Sequence, residues 1–286
     1  MADHDPLARY RAFLLDIDGV LVREATPIPG AVEGLRALHR RGRVLFLSNN
    51  SSRSRAQLAD RLAGLGFDAV PEELVPSSYV AAQYLAETTG SVPYWLIGER
   101  GLDEELRLAG HRPSACPEEA EWVVAGIDWA IDYGKLADAL RALQAGARLL
   151  ATNTDPTFPG REEHLPGAGA IVGALRGMGY PPQVVVGKPS PIAFQYALKR
   201  LDGAAGSALM IGDRLETDIA GAAAVGIDTV LVLTGVTTRD EAADTEIAMT
   251  WIADSLQAVA AGRLRSSGRA KIAPDPDAMS AEQPER

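Results

Sequence analysis

Two aspartates follow directly after an apolar run near the start of the chain, in the segment Asp16-Ile17-Asp18-Gly19. In open parallel sheets, ligands bind beyond the carboxyl ends of the strands, which is where these carboxylates fall. Two acidic side chains this close repel each other unless a cation neutralises them, and Mg2+ prefers oxygen ligands. Gly19 allows a sharp turn that presents backbone amides to an anion. The alternative is an ordinary solvated turn, in which Asp and Gly are common.

Three further apolar runs also end in polar groups. They are Ser48-Asn49-Asn50 after residues 44–47, Lys188 after residues 184–186, and Asp213 with Asp218 after residues 208–211. The hydroxyl and amides of the first group can bind phosphate oxygens, or cap the next helix. Lys188 offers a point positive charge, although its surroundings do not fit a P-loop, which requires Ser or Thr after the lysine.

The four groups complement one another if a single parallel sheet carries all four strands, because their polar ends then meet at one edge. A phosphate close to a carboxylate is repelled by about 4 kcal/mol for each pair of unit charges ~4 Å apart, at an effective dielectric of ~20. A magnesium ion and Lys188 would offset this repulsion. The pattern therefore predicts phosphoryl transfer to an aspartate, driven by positioning and electrostatics.

The four motifs, in this order, resemble the haloacid dehalogenase (HAD) superfamily of aspartate-nucleophile phosphatases over residues 11–236. The individual residues of these motifs resemble the NagD-like branch, which includes phosphoglycolate and para-nitrophenyl phosphatases. The segments that carry this resemblance are residues 48–53, 152–155, 212–218 and 233–237.

The resemblance implies a magnesium-dependent phosphatase with Asp16 as nucleophile, which forms an aspartyl-phosphate, and Asp18 as general acid and base. The expected Mg2+ ligands are Asp16, the backbone carbonyl of Asp18, and Asp213. The expected phosphate-binding residues are Ser48, Asn49 and Lys188. Asp218 would orient metal-bound water or Lys188.

Apolar strands alternate with helical patterns, which predicts an α/β fold with a Rossmann-like parallel-sheet core. About 140 residues separate Ser48 from Lys188, so an inserted α/β cap domain is expected between them. In the resembling family, a mobile cap at this position selects substrates. The predicted division is core residues 10–81, cap residues 82–182, core residues 183–263, and a polar tail at 264–286 that is expected to be disordered.

Five polar residues are candidates for substrate contact, each with an ordinary surface-loop role as the alternative. They are Asn50 and Arg53 from the core, and Asn153, Asp155 and His164 from the cap. The sequence does not choose among sugar phosphates, glycerol phosphate, phosphoglycolate, pyridoxal phosphate and nucleoside monophosphates.

The chain has 286 residues and a formal net charge of −10, which disfavours nucleic acid and anionic membranes as partners. We expect a small phosphorylated metabolite as partner and a cytoplasmic location, because no signal-like segment and no bilayer-length apolar run is present. The oligomeric state is left open, with a homodimer as one alternative. Rival functions are a phosphotransferase or phosphomutase, carbon–halogen hydrolysis, and a non-enzymatic phospho-accepting module.

Overall fold

The computed structural model describes residues 5–23, 25–159, 164–201 and 205–268. Within these ranges the chain forms two compact units. The first takes in the residues up to 47, residues 63–68 and the residues from 188 onward. The second takes in residues 48–62 and 69–187.

The secondary structure alternates between strands and helices. The strands, in chain order, are β1 (Ala12–Leu15), β2 (Val22–Arg23), β3 (Thr26–Pro27), β4 (Arg43–Ser48), β5 (Leu74–Pro76), β6 (Pro93–Ile97), β7 (Arg112–Pro113), β8 (Trp122–Ala125), β9 (Arg148–Ala151), β10 (Thr157–Pro159), β11 (His164–Pro166), β12 (Val184–Val185), β13 (Ala208–Gly212), β14 (Asp228–Val232), β15 (Trp251–Ala253) and β16 (Arg265–Ser266). The helices are α1 (Ala31–His39), α2 (Arg55–Gly64), α3 (Ser77–Thr89), α4 (Arg100–Leu108), α5 (Tyr133–Gln144), α6 (Ala168–Gly177), α7 (Pro191–Arg200), α8 (Ala220–Ala224), α9 (Arg239–Asp244) and α10 (Leu256–Ala260). A π-helical turn, Leu215–Ile219, leads into α8.

The sheet of the first unit contains strands in the order β16-β15-β14-β13-β1-β4. All neighbouring pairs are parallel except β15 with β16. Every residue of β1, β13 and β14 is buried, as expected for strands that helices cover on both faces. The predicted α/β fold with a parallel core sheet is confirmed.

The register of this sheet determines which side chains meet at its carboxyl edge. Leu15, the last residue of β1, lies opposite Ile211 of β13 and Phe46 of β4. Asp16 therefore follows β1 at the level where Gly212 ends β13 and Asp213 begins the next loop. Two of the predicted acidic groups thus leave neighbouring strands at the same height.

The second unit has its own parallel sheet, in the order β12-β9-β8-β6-β7. Buried side chains from β6, β8, β9, α5 and α6 form its hydrophobic core. Sequence alternation predicted strands and helices in this region, and the structure contains them.

One predicted strand belongs to a different sheet from the one expected. The apolar run at 184–186 was expected beside β1, but β12 pairs with β9, with Val184 opposite Leu150 and Val185 opposite Ala151. The prediction that a single sheet carries all four polar strand ends is therefore wrong. An apolar run predicts a buried strand, but it does not specify which neighbour supplies the hydrogen bonds.

The boundaries of the compact units differ from the predicted divisions. The second unit ends at Gly187 and includes residues 48–62 and 69–81, which the sequence assigned to the core. Arg265–Ser266, predicted to lie in the tail, pair with β15. Residues 269–286 lie outside the described residues. None of the helices in the described ranges combines the length and apolar composition that a bilayer crossing needs.

Candidate active site

Three buried carboxylates converge at the carboxyl edge of the first unit's sheet. Asp16 follows β1, Asp213 follows β13, and Asp218 lies in the π-helical turn. One carboxylate oxygen from each lies within 4.8 Å of the others. Asp16 is 7% exposed, Asp213 1% and Asp218 0%, so this cluster of negative charge is shielded from water. Buried charges of one sign require a counter-charge.

Lys188 supplies part of that counter-charge. Its Nζ donates to Asp16 Oδ1 and to Asp218 Oδ1, each at 2.7 Å. Burial lowers the pKa of Lys188, but the two carboxylates outweigh burial and raise it above its ordinary value. The lysine therefore stays protonated between two acids.

The pKa values of Asp16 and Asp213 respond to their burial and to the negative charge that Lys188 leaves uncompensated. Burial, together with the charges of Asp218, Asp213 and Asp18, raises the pKa of Asp16 well above its ordinary value, against the opposing effect of Lys188. Burial and the charge of Asp218 raise the pKa of Asp213 to about 6. Three carboxylates and one ammonium carry a formal charge of −2, which a divalent cation would neutralise.

The two oxygens of Asp213 have different surroundings. Oδ2 accepts a hydrogen bond from the Val236 N–H at 2.7 Å. Oδ1 is buried and has no hydrogen-bond partner among the described residues. An unpartnered buried carboxylate oxygen beside two other carboxylates is a suitable ligand for a hard cation such as Mg2+. The residues present therefore fit a magnesium ion.

Asp218 uses both of its oxygens within the protein. Oδ1 accepts from Lys188, and Oδ2 accepts from the backbone N–H groups of Asp213 and Arg214, each at 3.1 Å. Its carboxylate therefore holds Lys188 and the turn after β13 in place. This arrangement suits the expected role of orienting Lys188.

Asp18 differs from the three clustered acids because its side chain is exposed. The turn that carries it is held by a hydrogen bond of 2.7 Å from the Gly19 N–H to the Val22 carbonyl. Gly19 has a φ of 88°, which L-residues rarely adopt, and a Cβ at this position would overlap the carboxylate of Asp213.

The predicted residues of the Ser48 segment belong to the second unit, where they are held by local hydrogen bonds. Ser48 ends β4, and its Oγ accepts from the Asn50 N–H at 3.2 Å. Asn50 Oδ1 accepts from the N–H groups of Ser52 and Arg53, a turn that precedes α2. The cap of α2 is instead Ser54, whose Oγ accepts from the Gln57 N–H at 3.3 Å.

Three of the candidate residues meet in the second unit. Asn49 Nδ2 donates to Asp155 Oδ2 at 3.0 Å, and Asn153 Nδ2 donates to the Asn49 carbonyl at 2.8 Å. Arg53 lies apart from this group, where its carbonyl accepts from the Ser78 hydroxyl, and His164 is an exposed residue at the start of β11.

The loop after β14 contributes contacts that the sequence analysis did not assign. Thr234 Oγ1 donates to the Gly19 carbonyl at 2.6 Å, and the Val236 N–H binds Asp213 as described above. A Cβ at Gly235 would overlap the Asp213 carboxylate. The available signal was a Thr-Gly pair directly after the apolar run at residues 230–233, in the same strand-end position as the other motifs.

Comparisons with known proteins agree with this architecture. Residues 13–112 match the family described as haloacid dehalogenase-like hydrolase, and residues 185–259 match a HAD-hydrolase-like family. The chain is 35% identical over 237 residues to the sugar-phosphatase AraL of Bacillus subtilis, covering 82% of this chain and 87% of that protein.

Two solved structures are also similar. The p-nitrophenyl phosphatase from Archaeoglobus fulgidus has 38% identity and a TM-score of 0.83, and the match covers 88% of this chain and 98% of that one. The glycerol phosphate phosphatase Rv1692 of Mycobacterium tuberculosis, solved with magnesium, has 37% identity and a TM-score of 0.81, covering 94% of this chain and 81% of that one.

The chain belongs to the haloacid dehalogenase-like hydrolases. Within that family it falls among the NagD-like and nitrophenyl phosphatase relatives. The residues of its motifs predicted this branch.

Proposed function

We propose that this chain is a magnesium-dependent phosphatase that hydrolyses small phosphate monoesters through an aspartyl-phosphate on Asp16. The observation that supports this most strongly is the buried group of Asp16, Asp213 and Asp218 around Lys188, in which Asp213 Oδ1 has no hydrogen-bond partner within the part of the chain that the structure describes. The relatives named above are phosphatases, which supports the same reaction class.

In the first step, a carboxylate oxygen of Asp16 forms a bond to phosphorus while the ester P–O bond breaks. Asp18 donates a proton to the leaving oxygen, which departs as an alcohol. Lys188 already contacts Asp16 and would bind a phosphoryl oxygen there, with Ser48 and Asn49 assigned to the other oxygens by family resemblance.

In the second step, Asp18, now a carboxylate, accepts a proton from water. The water oxygen bonds to phosphorus, the bond to Asp16 breaks, and inorganic phosphate leaves. Asp16 regains its carboxylate and Asp18 its proton, so the cycle closes. The exposure of Asp18 suits a residue that exchanges protons with a leaving group and with water.

Asp16, the carbonyl of Asp18, and Asp213 would hold the magnesium ion, and Asp218 would orient Lys188. When bound, the ion supplies positive charge that offsets the repulsion between phosphate and carboxylate. The protein residues supply the nucleophile, the proton donor and the fixed ammonium.

We assign substrate selection to residues 82–182, the proposed cap, with residues 10–81 and 183–263 as the proposed core. The relatives are named as phosphatases of sugar phosphate, nitrophenyl phosphate and glycerol phosphate. Small phosphorylated metabolites of this size are therefore the proposed substrate class. Asn50, Arg53, Asn153, Asp155 and His164 stay candidates for contacting them.

The proposal is tested by measuring phosphate release from a panel of sugar, polyol, nucleoside and aryl phosphates, with Mg2+ and with EDTA. We expect turnover only with Mg2+, and a loss of at least ~10³-fold in Asp16→Asn, because removing a nucleophile removes the covalent route. Turnover by Asp16→Asn near the wild-type rate would refute the mechanism. Transfer to added alcohols in preference to water would instead indicate a phosphotransferase.

A further inference from the structure

We propose that residues 233–237, here called the Thr234 loop, position the metal-binding groups, with Thr234 as the residue that joins Asp213 to the Asp18–Gly19 turn. This inference rests on the proposed magnesium site. All the residues involved belong to the first unit.

The loop first fixes the orientation of Asp213. The Val236 N–H donates to Oδ2, and the Thr237 N–H donates to the Asp213 carbonyl at 3.2 Å. Because Oδ2 is held in this way, Oδ1, which none of the described residues hydrogen-bonds, is the oxygen left for a cation. Gly235 allows this close approach, since any larger residue would place a Cβ into the carboxylate.

The peptide groups on both sides of Gly19 are each fixed by a hydrogen bond, one within the turn and one from the Thr234 loop. On one side the Gly19 N–H donates to the Val22 carbonyl at 2.7 Å, and on the other the Gly19 carbonyl accepts from Thr234 Oγ1 at 2.6 Å. In a planar trans peptide the carbonyl of Asp18 points away from the Gly19 N–H. The carbonyl expected to bind the ion is therefore held in one direction.

The loop is itself anchored, so it can act as a fixed support. The Leu233 N–H donates to the Ala253 carbonyl at 3.1 Å, and the Arg23 guanidinium donates to the Thr234 carbonyl. Thr234 is thus held through its backbone while its hydroxyl holds Gly19. A side chain in this position acts through the metal ligands and does not need to touch the substrate.

The test is the affinity for Mg2+ without substrate, measured by isothermal titration calorimetry on the full chain. We expect Thr234→Val to weaken Mg2+ binding about 10-fold, the usual cost of losing a residue that orients a metal ligand. Thr234→Ser keeps the hydroxyl and should bind Mg2+ within about twofold of wild type, on the same reasoning. If Thr234→Val does not fold, Thr234→Ala replaces it.

Thr250→Val is the matched control, because the Thr250 hydroxyl accepts from the Thr229 N–H at 3.1 Å and lies outside the site. It should leave Mg2+ binding unchanged even where it lowers the melting temperature. Unchanged binding in Thr234→Val, no rescue by Ser, or equal weakening in Thr250→Val would each overturn the inference. Absence of Mg2+ binding in the wild type would instead refute the proposed metal site.

Discussion

Lys188 shows at the scale of single residues how the site depends on charge balance. It is 4% exposed and forms ion pairs of 2.7 Å with Asp16 and Asp218. Replacing it by Met leaves two buried carboxylates without their counter-charge. We expect Lys188→Met to lower the free energy of unfolding of the metal-free protein by roughly 3–5 kcal/mol, measured by urea denaturation.

Lys135→Met is the control for this prediction. Lys135 pairs with Asp128 at the same distance of 2.7 Å, but its side chain is 39% exposed, so water screens part of the interaction. A smaller loss is expected there. Equal losses of unfolding free energy in the two variants would show that Lys188 is no more important as a counter-charge than the half-exposed Lys135.

The raised pKa of Asp213 makes the stability of the metal-free protein depend on pH. Its folded pKa of about 6 exceeds the ordinary value of 3.8, so between these values the folded state binds more protons than the unfolded state. Relative to Asp213→Asn, the wild type should lose stability as pH rises from 4 to about 6, by up to roughly 3 kcal/mol. Urea denaturation of both proteins across this range measures the difference. A difference that is constant, or that grows in favour of the wild type, would contradict the assigned pKa.

Sequence reasoning found the chemical groups but not all of their partners. Asp16, Asp213 and Lys188 could be named because each follows an apolar run, and the structure brings them together. The hydrogen bonds of Asp218 to two backbone amides depend on the π-helical turn, which no pattern of residue types specifies.

At the scale of elements, the positions of the strands in the sheet explain how distant residues meet. The sequence predicted β1, β4, β13 and β14 as buried strands, because they are continuous apolar runs. It could not predict the partner of β12, since sheet pairing depends on tertiary packing that a short apolar run does not encode. Lys188 nevertheless reaches Asp16, because it belongs to the first unit and follows β12 only in sequence.

Substitution of Gly212, the last residue of β13, tests how closely the end of this strand packs against Asp218. A Cβ at this position would overlap the Cβ of Asp218, so Gly212→Ala should displace Asp218 and the Lys188 that it holds. We expect a loss of about 1–3 kcal/mol in stability, as for other overpacked sites, together with reduced phosphate release. Urea denaturation and a phosphate assay measure the two effects.

Gly173→Ala provides the comparison within the same chain. Gly173 is exposed in α6, and a Cβ there would meet nothing within 4 Å. This substitution should stabilise the protein by roughly 0.5–1 kcal/mol, because Ala is the better helix former. A Gly212→Ala protein as stable and active as Gly173→Ala would show that the close packing at the strand end is not required.

At the scale of the whole molecule, the alternation of strands and helices predicted the α/β class, and the long separation of Ser48 from Lys188 predicted an inserted region. The compact units do not coincide with the predicted division, because the second unit also takes in residues 48–62 and 69–81, which precede the predicted cap. Composition gave the net charge of −10, but the local charge at the site depends on which carboxylates the fold buries together.

Magnesium binding should raise the stability of the whole protein. A ligand that binds only the folded state adds about 2.7 kcal/mol at a concentration of 100 times its Kd. We expect Mg2+ to raise the melting temperature of the wild type in calorimetry and to have little effect on Asp213→Asn, which lacks a carboxylate ligand. An equal rise in both proteins would place the ion elsewhere.

The most direct test of the central claim is a search for the phosphorylated aspartate. The enzyme is mixed with a 32P-labelled substrate and Mg2+, quenched in acid within one turnover, digested, and mapped by peptide. An aspartyl-phosphate mechanism predicts hydroxylamine-labile label on the peptide that contains Asp16, and no label in Asp16→Asn. Label on another residue, or rapid turnover that leaves no label at any quench time, would contradict it.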